Sequence, residues 1–150
     1  MEVLVATDGS GAAIDAAQRA MALLSPAAHV VVVSVIHDKE DPMETAGGFE
    51  GPGITEHDAE VQFAAEEASG NLALERTAAA LADDSVDVRL VPVDVEPGRA
   101  IVELASDLHP DLIVIGSGGK GFFKRLFTGS VSDYVVHHAP CPVLVVRHDH

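Results

Sequence analysis

The sequence predicts an α/β domain built around a parallel β-sheet. Its 150 residues are 47% hydrophobic, which is enough for one domain with a sizeable core. Short aliphatic runs alternate with segments of helical periodicity, as in parallel strands joined by crossover helices. The runs are continuously apolar, so we expect helices on both faces of the sheet. We therefore expect residues 1–150 to form a single domain.

The first two strands and the helix between them follow from simple patterns. EVLVAT at residues 2–7 is a valine-rich strand, and HVVVVSVI at 29–36 is a second one. Ser10 is suited to cap a helix that ends before Pro26. The apolar positions of this helix recur at helical spacing, at Ala13, Ile14, Ala17, Met21 and Leu24.

A long loop and a long helix come next. Residues 38–58 are polar and rich in glycine without periodicity, which predicts a long, flexible loop. A helix from about residue 58 to residue 83 follows, in which Gly70 costs about 1 kcal/mol relative to alanine. The apolar face that we assign to this helix consists of Val61, Ala65, Ala68 and Leu72.

The alternation continues to the end of the chain. DVRLVPV at 87–93 is the third strand, and Pro92 indicates an edge position because proline cannot donate a ladder hydrogen bond. Pro97 suits the first turn of a helix with a buried stripe of Ile101, Leu104, Ala105 and Leu108. The remaining elements are the strand 112–116, the helix 130–138 and the strand 142–147.

Charge and composition exclude several classes of partner. The chain carries 24 acidic and 9 basic residues, a net charge of −15, so nucleic acids and anionic membranes are poor partners.

No run of about 18 apolar residues is present, and the chain starts with an apolar strand instead of a cleavable leader. The one cysteine, Cys141, cannot form an internal disulfide, which fits a reducing compartment. We expect a cytoplasmic protein with an acidic surface that is suited to high salt.

The segment 111–133, DLIVIGSGGKGFFKRLFTGSVSD, contains five glycines after a strand. Three of them formally match the dinucleotide fingerprint G-x-G-x-x-G: Gly116, Gly118 and Gly121. That fingerprint needs an acidic residue on a strand about 20 positions later, whereas this chain has Val136 in a predicted helix. A Walker loop is excluded because Phe122 follows Gly121, and the SGGxDS loop of ATP pyrophosphatases would need an aspartate in place of Gly121.

A different spacing fits the segment, G-2x-G-9x-G-[ST], formed by Gly116, Gly119, Gly129 and Ser130. In this spacing the chain resembles the ATP-binding members of the universal stress protein family. The resemblance extends over VATDGS at the first strand end, VSVIHD at the second, and GSVSDYVVHHAPCPVLVV at the end of the chain. It covers nearly the whole sequence, and the loop at 38–58 is unusually long beside the family pattern.

The chemistry of this motif suits a polyphosphate. Glycines let backbone N–H groups approach phosphate oxygens, and Gly129 and Ser130 place amides and a hydroxyl at a helix N-terminus. Three of the nine basic residues lie in the spacer between the glycines: Lys120, Lys124 and Arg125. A local positive patch would offset the field of an otherwise acidic protein.

The resemblance implies a Rossmann-like, doubly wound sheet of five strands in the order 3-2-1-4-5. It implies that ATP binds with Mg²⁺ in the crevice between the loops after strands 1 and 4, where the winding reverses. It places Asp8 near the ribose or the phosphate-bound Mg²⁺, and the main chain of Val35 against the adenine. The implied nucleotide-binding residues are Ala6, Thr7, Asp8, Val35, Gly116, Ser117, Gly119, Lys120, Gly129, Ser130, Val131 and Ser132.

The resemblance also implies a homodimer formed through the last strand, by Pro142, Val143, Leu144, Val145 and Val146. We interpret the protein as a nucleotide-dependent stress-response module. No residue is assigned to activate water, so we expect any ATP hydrolysis to be slow. Two alternatives remain: a nucleotide-free interaction protein, and a slow ATPase or other enzyme of the related adenine-nucleotide-binding superfamily.

Overall fold

The sheet has the predicted strand order. The computed structural model describes residues 1–26, 28–38, 55–83, 85–117 and 131–147. In this part of the chain five strands pair in parallel in the order β3-β2-β1-β4-β5. This confirms the doubly wound α/β class. The strands are β1 (Glu2–Ala6), β2 (His29–His37), β3 (Asp87–Val93), β4 (Leu112–Gly116) and β5 (Val143–Val146).

Helices cover both faces of the sheet. They are α1 (Gly11–Leu23), α2 (Glu56–Leu81), α3 (Pro97–Leu108) and α4 (Val131–His138). Alternate residues of β1 enter two separate cores: Val3 and Val5 pack with α1 and α2, whereas Leu4 and Ala6 pack with α3 and α4. Among the described helices, none combines the length and the apolar character needed to cross a membrane.

The helix starts follow their capping residues. The Ser10 side chain accepts a hydrogen bond from the Ala13 N–H (3.2 Å), which confirms it as the cap of α1. Pro97 opens α3, as predicted. The α2 helix starts earlier than expected, because Thr55 and Asp58 form a capping box with reciprocal side-chain to backbone bonds of 3.1 and 3.3 Å. The predicted loop 38–58 is therefore wrong over residues 56–58, and residues 39–54 lie outside the described part.

The packing face of α2 also differs from the prediction. Val61 and Leu72 are exposed by 57% and 49%. The buried residues are instead Ala59, Gly70, Ala73, Leu74 and Thr77. Alanines occur all around this helix, so apolar periodicity did not distinguish its faces. Gly70 explains which face of α2 packs against the sheet, because a Cβ there would lie 2.5 Å from Leu90 Cδ1 and 2.8 Å from a methyl of Ile36. Gly70 lets α2 approach the sheet closely.

Pro92 lies in an edge strand, as its chemistry predicts. The Val93 carbonyl accepts a hydrogen bond from the Asp38 N–H (2.7 Å), so Val93 turns its backbone towards β2. Because backbone groups alternate in direction along a strand, the neighbouring Pro92 faces the open edge. The missing N–H of Pro92 therefore costs the sheet no hydrogen bond.

Candidate functional site

The reversal of strand winding lies between β1 and β4. Both strands are parallel and paired, with Val5 opposite Val114, so their carboxyl ends meet at one edge of the sheet. The chain leaves β1 towards α1 on one face, and α4, which follows β4, packs in the core on the other face. Such a switch point opens a crevice outside the strand ends, where open α/β sheets bind their ligands.

The segment after β1 is fixed by short-range hydrogen bonds. Asp8 Oδ1 accepts from the Ser10 N–H at 3.0 Å, and Gly9 adopts a left-handed φ of 75°. Asp8 Oδ2 is buried and has no hydrogen-bond partner among the described residues. A buried carboxylate oxygen without a partner is costly, so Asp8 has an unsatisfied capacity to bind a cation or a donor.

Thr7 ties this segment to α2. Its amide continues the sheet by donating to the Val33 carbonyl at 2.9 Å. Its hydroxyl oxygen accepts from the Gly9 N–H at 3.1 Å and lies 2.8 Å from the hydroxyl oxygen of Thr77. Thr7 and Thr77 are both almost completely buried, with 1% and 0% exposure. The strand end is thus connected through side chains to a helix that the glycine motif does not include.

The end of β2 is close to that of β1, because Val33 is the register partner of Ala6. Val35 is two residues further along, and its side chain is buried in the core. It can therefore reach a ligand only through its main chain, as the resemblance implies. The His37 N–H donates to Glu66 Oε2 at 2.8 Å, so α2 also holds the end of β2.

The end of β4 provides the other wall of the crevice. Gly116 pairs with Val146, and the Ser117 N–H donates to the Val146 carbonyl at 3.0 Å. A Cβ on Gly116 would lie 3.6 Å from Ala16 Cβ, an ordinary contact. The described packing around Gly116 therefore does not require a glycine.

The structure describes only part of the predicted binding set. Ala6, Thr7 and Asp8 meet Gly116 and Ser117 at one edge of the sheet. Val131 and Ser132 lie at the start of α4 and are buried, with 6% and 7% exposure. The remaining four predicted residues lie outside the described part of the chain: Gly119, Lys120, Gly129 and Ser130.

Sequence reasoning missed Gly9, Glu66 and Thr77, which make the contacts that connect the ends of β1 and β2 to α2. The positive φ of Gly9 had a weak signal, since glycine directly follows a strand-ending aspartate. Glu66 and Thr77 gave no signal, because a glutamate and a threonine inside a helix indicate nothing about partners distant in sequence.

Comparison with known proteins gives a consistent result. The chain matches the model of the universal stress protein family over residues 1–147. A universal stress protein of Methanocaldococcus jannaschii, MJ0531, is 29% identical over 147 residues, covering 97% of this chain and 81% of that protein. A universal stress protein of Synechocystis sp. is 47% identical over 53 residues, so this match spans 35% of this chain and 34% of that relative.

Solved structures resemble the whole chain. Protein MJ0577 has a TM-score of 0.70 at 28% identity, covering 99% of this chain and 96% of that one. A universal stress protein in complex with cAMP has a TM-score of 0.62 at 25% identity, covering 99% and 98%. Since the family model matches residues 1–147 and these solved structures align with nearly the whole chain, the protein belongs to the universal stress protein family.

Proposed function

We propose that the protein is a nucleotide-dependent regulatory module that binds ATP with Mg²⁺ in the crevice between the segments following β1 and β4. The observation that carries this proposal is the buried Asp8 Oδ2, which has no hydrogen-bond partner among the described residues. It lies at the switch point of the sheet, where ligands of this fold class bind. A cation or a ligand hydroxyl in the crevice would satisfy it.

The donor set suits a Mg²⁺ ion carried by phosphates. Mg²⁺ is usually held by one or two carboxylates together with substrate phosphates and water. Asp8 supplies one such carboxylate. The described residues include no group of three His, Cys, Asp or Glu side chains that would form a cage made by the protein alone. Mg²⁺ would offset the repulsion between the Asp8 carboxylate and a polyphosphate.

The surroundings of Gly116 favour the proposal that a phosphate binds on the β4 side of the crevice. The packing of the described residues leaves ordinary room for a Cβ there, 3.6 Å from Ala16 Cβ. Binding of a phosphate close to the backbone N–H groups would explain why this position is a glycine. The rest of the motif, Gly119 with Gly129 and Ser130, has the matching sequence spacing.

The triphosphate is the nucleotide that the charge distribution favours. One solved relative carries cAMP, so adenine nucleotides with fewer charges are the natural competitors. The spacer places Lys120, Lys124 and Arg125 within a chain of net charge −15. This concentration of positive charge would matter most for the ligand with the most phosphates.

Calorimetric titration of nucleotide-stripped protein tests the proposal. We expect ATP to bind more tightly with Mg²⁺ than without it, and more tightly than AMP or cAMP. No binding of any of these nucleotides to the wild-type protein would refute the proposal and favour a nucleotide-free interaction protein. Mass spectrometry of small molecules released from the purified protein identifies the nucleotide that it carries.

Asp8→Asn separates the role of the Asp8 charge from its structural role. Asparagine can still accept the Ser10 N–H bond, but it cannot neutralise a cation. We expect affinity for ATP with Mg²⁺ to fall about tenfold or more, equivalent to about 1.4 kcal/mol. Asp111→Asn is the matched control, because Asp111 Oδ2 also accepts a backbone N–H, from Glu2 at 2.7 Å, at the opposite end of the sheet. Equal affinities in both variants would contradict the role of Asp8.

Gly119→Val and Gly129→Val test the motif itself. Side chains at these positions would block the close approach of phosphate to the backbone, so we expect both variants to lose nucleotide binding while remaining folded. Retained affinity in both would show that these glycines do not form the phosphate site.

Phosphate release under multiple-turnover conditions separates a binding module from an enzyme. We expect at most slow hydrolysis.

We also propose that the protein forms a homodimer through β5. The Pro142 and Val146 carbonyls accept from the Ile113 and Ser117 N–H groups at 3.0 Å, so Val143 and Val145 turn their backbone groups towards the open edge. The strand itself is uncharged, Val143–Val146, whereas the edge strand β3 contains Asp87, Arg89 and Pro92. An open apolar edge invites pairing, and a two-fold axis would let β5 pair with its own copy.

A further inference from the structure

One stripe of α2 contacts the end of β2 and the segment after β1, which borders the proposed site. It consists of Glu66, Gly70, Ala73 and Thr77, whose spacings of about three and four residues place them on the same helix face. Glu66 binds the end of β2 through the His37 N–H. Ala73 and Thr77 contact the segment after β1. The helix therefore holds the ends of β1 and β2 beside the crevice.

The threonine pair has a defined hydrogen-bond direction. The Thr77 hydroxyl donates to the Ala73 carbonyl at 2.8 Å, which uses its only proton. In the 2.8 Å contact between the two hydroxyls, Thr7 is therefore the donor and Thr77 the acceptor. The Thr7 oxygen in turn accepts from the Gly9 N–H. A continuous chain of hydrogen bonds thus runs from Gly9 through both hydroxyls to the α2 backbone.

Steric contact reinforces this chain. Gly9 comes so close to α2 that a Cβ on it would lie 2.7 Å from the Ala73 Cα. Asp8 thus lies between Thr7, which hydrogen-bonds to Thr77 of α2, and Gly9, which hydrogen-bonds to Thr7 and lies against Ala73. The hydrogen bond described for the Asp8 carboxylate, accepted from the Ser10 N–H, lies within the same segment, so among the described residues no bond from another element holds this side chain directly.

We propose that Thr77 is a positioning residue for the nucleotide site. It acts through Thr7 and Gly9 to hold the Asp8 carboxylate in place, and it contacts no ligand itself. This inference rests on the proposed function, because it concerns the affinity of the same crevice. Residues that orient a metal-binding side chain typically contribute about 10- to 100-fold to metal affinity or activity.

Thr77→Val and Thr77→Ser provide the direct test. Valine keeps the shape but can neither accept from Thr7 nor donate to Ala73, whereas serine keeps the hydroxyl. We expect Thr77→Val to weaken binding of ATP with Mg²⁺ about tenfold, and Thr77→Ser to stay within about twofold of wild type. If Thr77→Val does not fold, Thr77→Cys, a weak hydrogen-bonding residue of similar size, replaces it in the same comparison.

Two controls separate positioning from general stability. Ser106→Ala removes the same kind of bond, a hydroxyl donating to the carbonyl four residues earlier (3.0 Å), on an exposed face of α3. Leu74→Ala truncates a buried residue of α2 whose core cluster includes no residue of the segment 7–10. Loss of stability does not change the affinity of molecules that remain folded, so both controls should bind ATP like wild type at temperatures well below melting.

Hydrogen exchange of the nucleotide-free protein gives an independent measurement. The Gly9 amide donates to Thr7, so we expect its exchange to accelerate in Thr77→Val and to return to the wild-type rate in Thr77→Ser. Unchanged exchange, or faster exchange with unchanged ATP affinity, would overturn the inference. A wild-type protein that binds no nucleotide would instead overturn the proposed function, and the exchange rates would still show whether Thr77 orders this segment.

Discussion

Gly9 is a position where backbone conformation and packing both demand glycine. Its φ of 75° lies in the left-handed region, and an added Cβ would overlap the backbone of Ala73. L side chains are disfavoured at this φ, and the neighbouring atoms belong to a helix backbone that cannot turn aside. A short stretch of chain beside the proposed site is thereby forced into one conformation.

We predict that Gly9→Ala lowers the free energy of unfolding by about 2 kcal/mol or more, because strain and overlap add. Urea denaturation monitored by circular dichroism measures the change. Gly11→Ala is the matched control: Gly11 opens α1 with nothing within 4 Å of an added Cβ. Alanine there should be neutral or stabilising by up to about 1 kcal/mol. Equal effects in the two variants would contradict the packing described for Gly9.

At the level of elements, the capping box at the start of α2 includes a charged group, the carboxylate of Asp58. Hydrogen bonds from the Thr55 side chain, and then from its backbone, lower the pKa of Asp58 below its ordinary value. A carboxyl group with a lowered pKa in the folded state stabilises the fold above its unfolded-state pKa. This contribution disappears as the pH falls through the folded-state pKa.

We therefore predict that Thr55→Ala raises the pKa of Asp58 back towards its ordinary value. The variant should lose more stability at neutral pH than in acid, where Asp58 is protonated in both proteins. An NMR titration of the Asp58 carboxyl carbon measures the pKa, and Thr55→Ser, which keeps the hydroxyl, should resemble wild type. An unchanged Asp58 midpoint in Thr55→Ala would show that the box does not form.

Some features of the elements were predicted correctly from the sequence and others were not, for a physical reason. The strands, the Ser10 cap and Pro97 rely on local chemistry, so they were predicted correctly. The packing face of α2 depends on how closely the helix approaches the sheet at Gly70, which no local pattern encodes. The same holds for the contact of Thr77 with Thr7, 70 positions apart in sequence. The motif predicts where the proposed site lies, but it carries no information on the distant contacts that shape the segment after β1.

For the whole molecule, the net charge of −15 implies self-repulsion that salt should relieve. Two ion pairs between neighbouring helical turns, Arg19 with Asp15 and Arg99 with Glu103, are largely open to solvent and contribute little. We predict that the melting temperature rises by about 5 °C or more when KCl is raised from about 0.1 to 2 M. The rise should shrink near pH 4.6, where the net charge approaches zero. A melting temperature independent of salt at neutral pH would argue against adaptation to high salt.

The difference between the two edge strands, β3 and β5, predicts which edge the proposed dimer uses. Val145→Pro removes an outward-facing N–H of β5, so we expect it to convert a dimer into a monomer, as measured by light scattering after size-exclusion chromatography. Val88→Pro is the matched control, because Val88 has the same outward orientation as Pro92 on β3. Loss of the dimer in both variants, or in neither, would contradict pairing through β5.

The central position of β1 has a consequence for how the chain is made. β1 pairs with β2 on one side and with β4 on the other, and the bond from the Glu2 N–H to Asp111 joins residues 109 positions apart. During synthesis β2 becomes available long before β4 does. Contacts at such separation form late and slowly. On the ribosome β1 has no β4 to pair with until the fourth strand has emerged, so we expect an apolar strand edge to be open to wrong pairing in that interval.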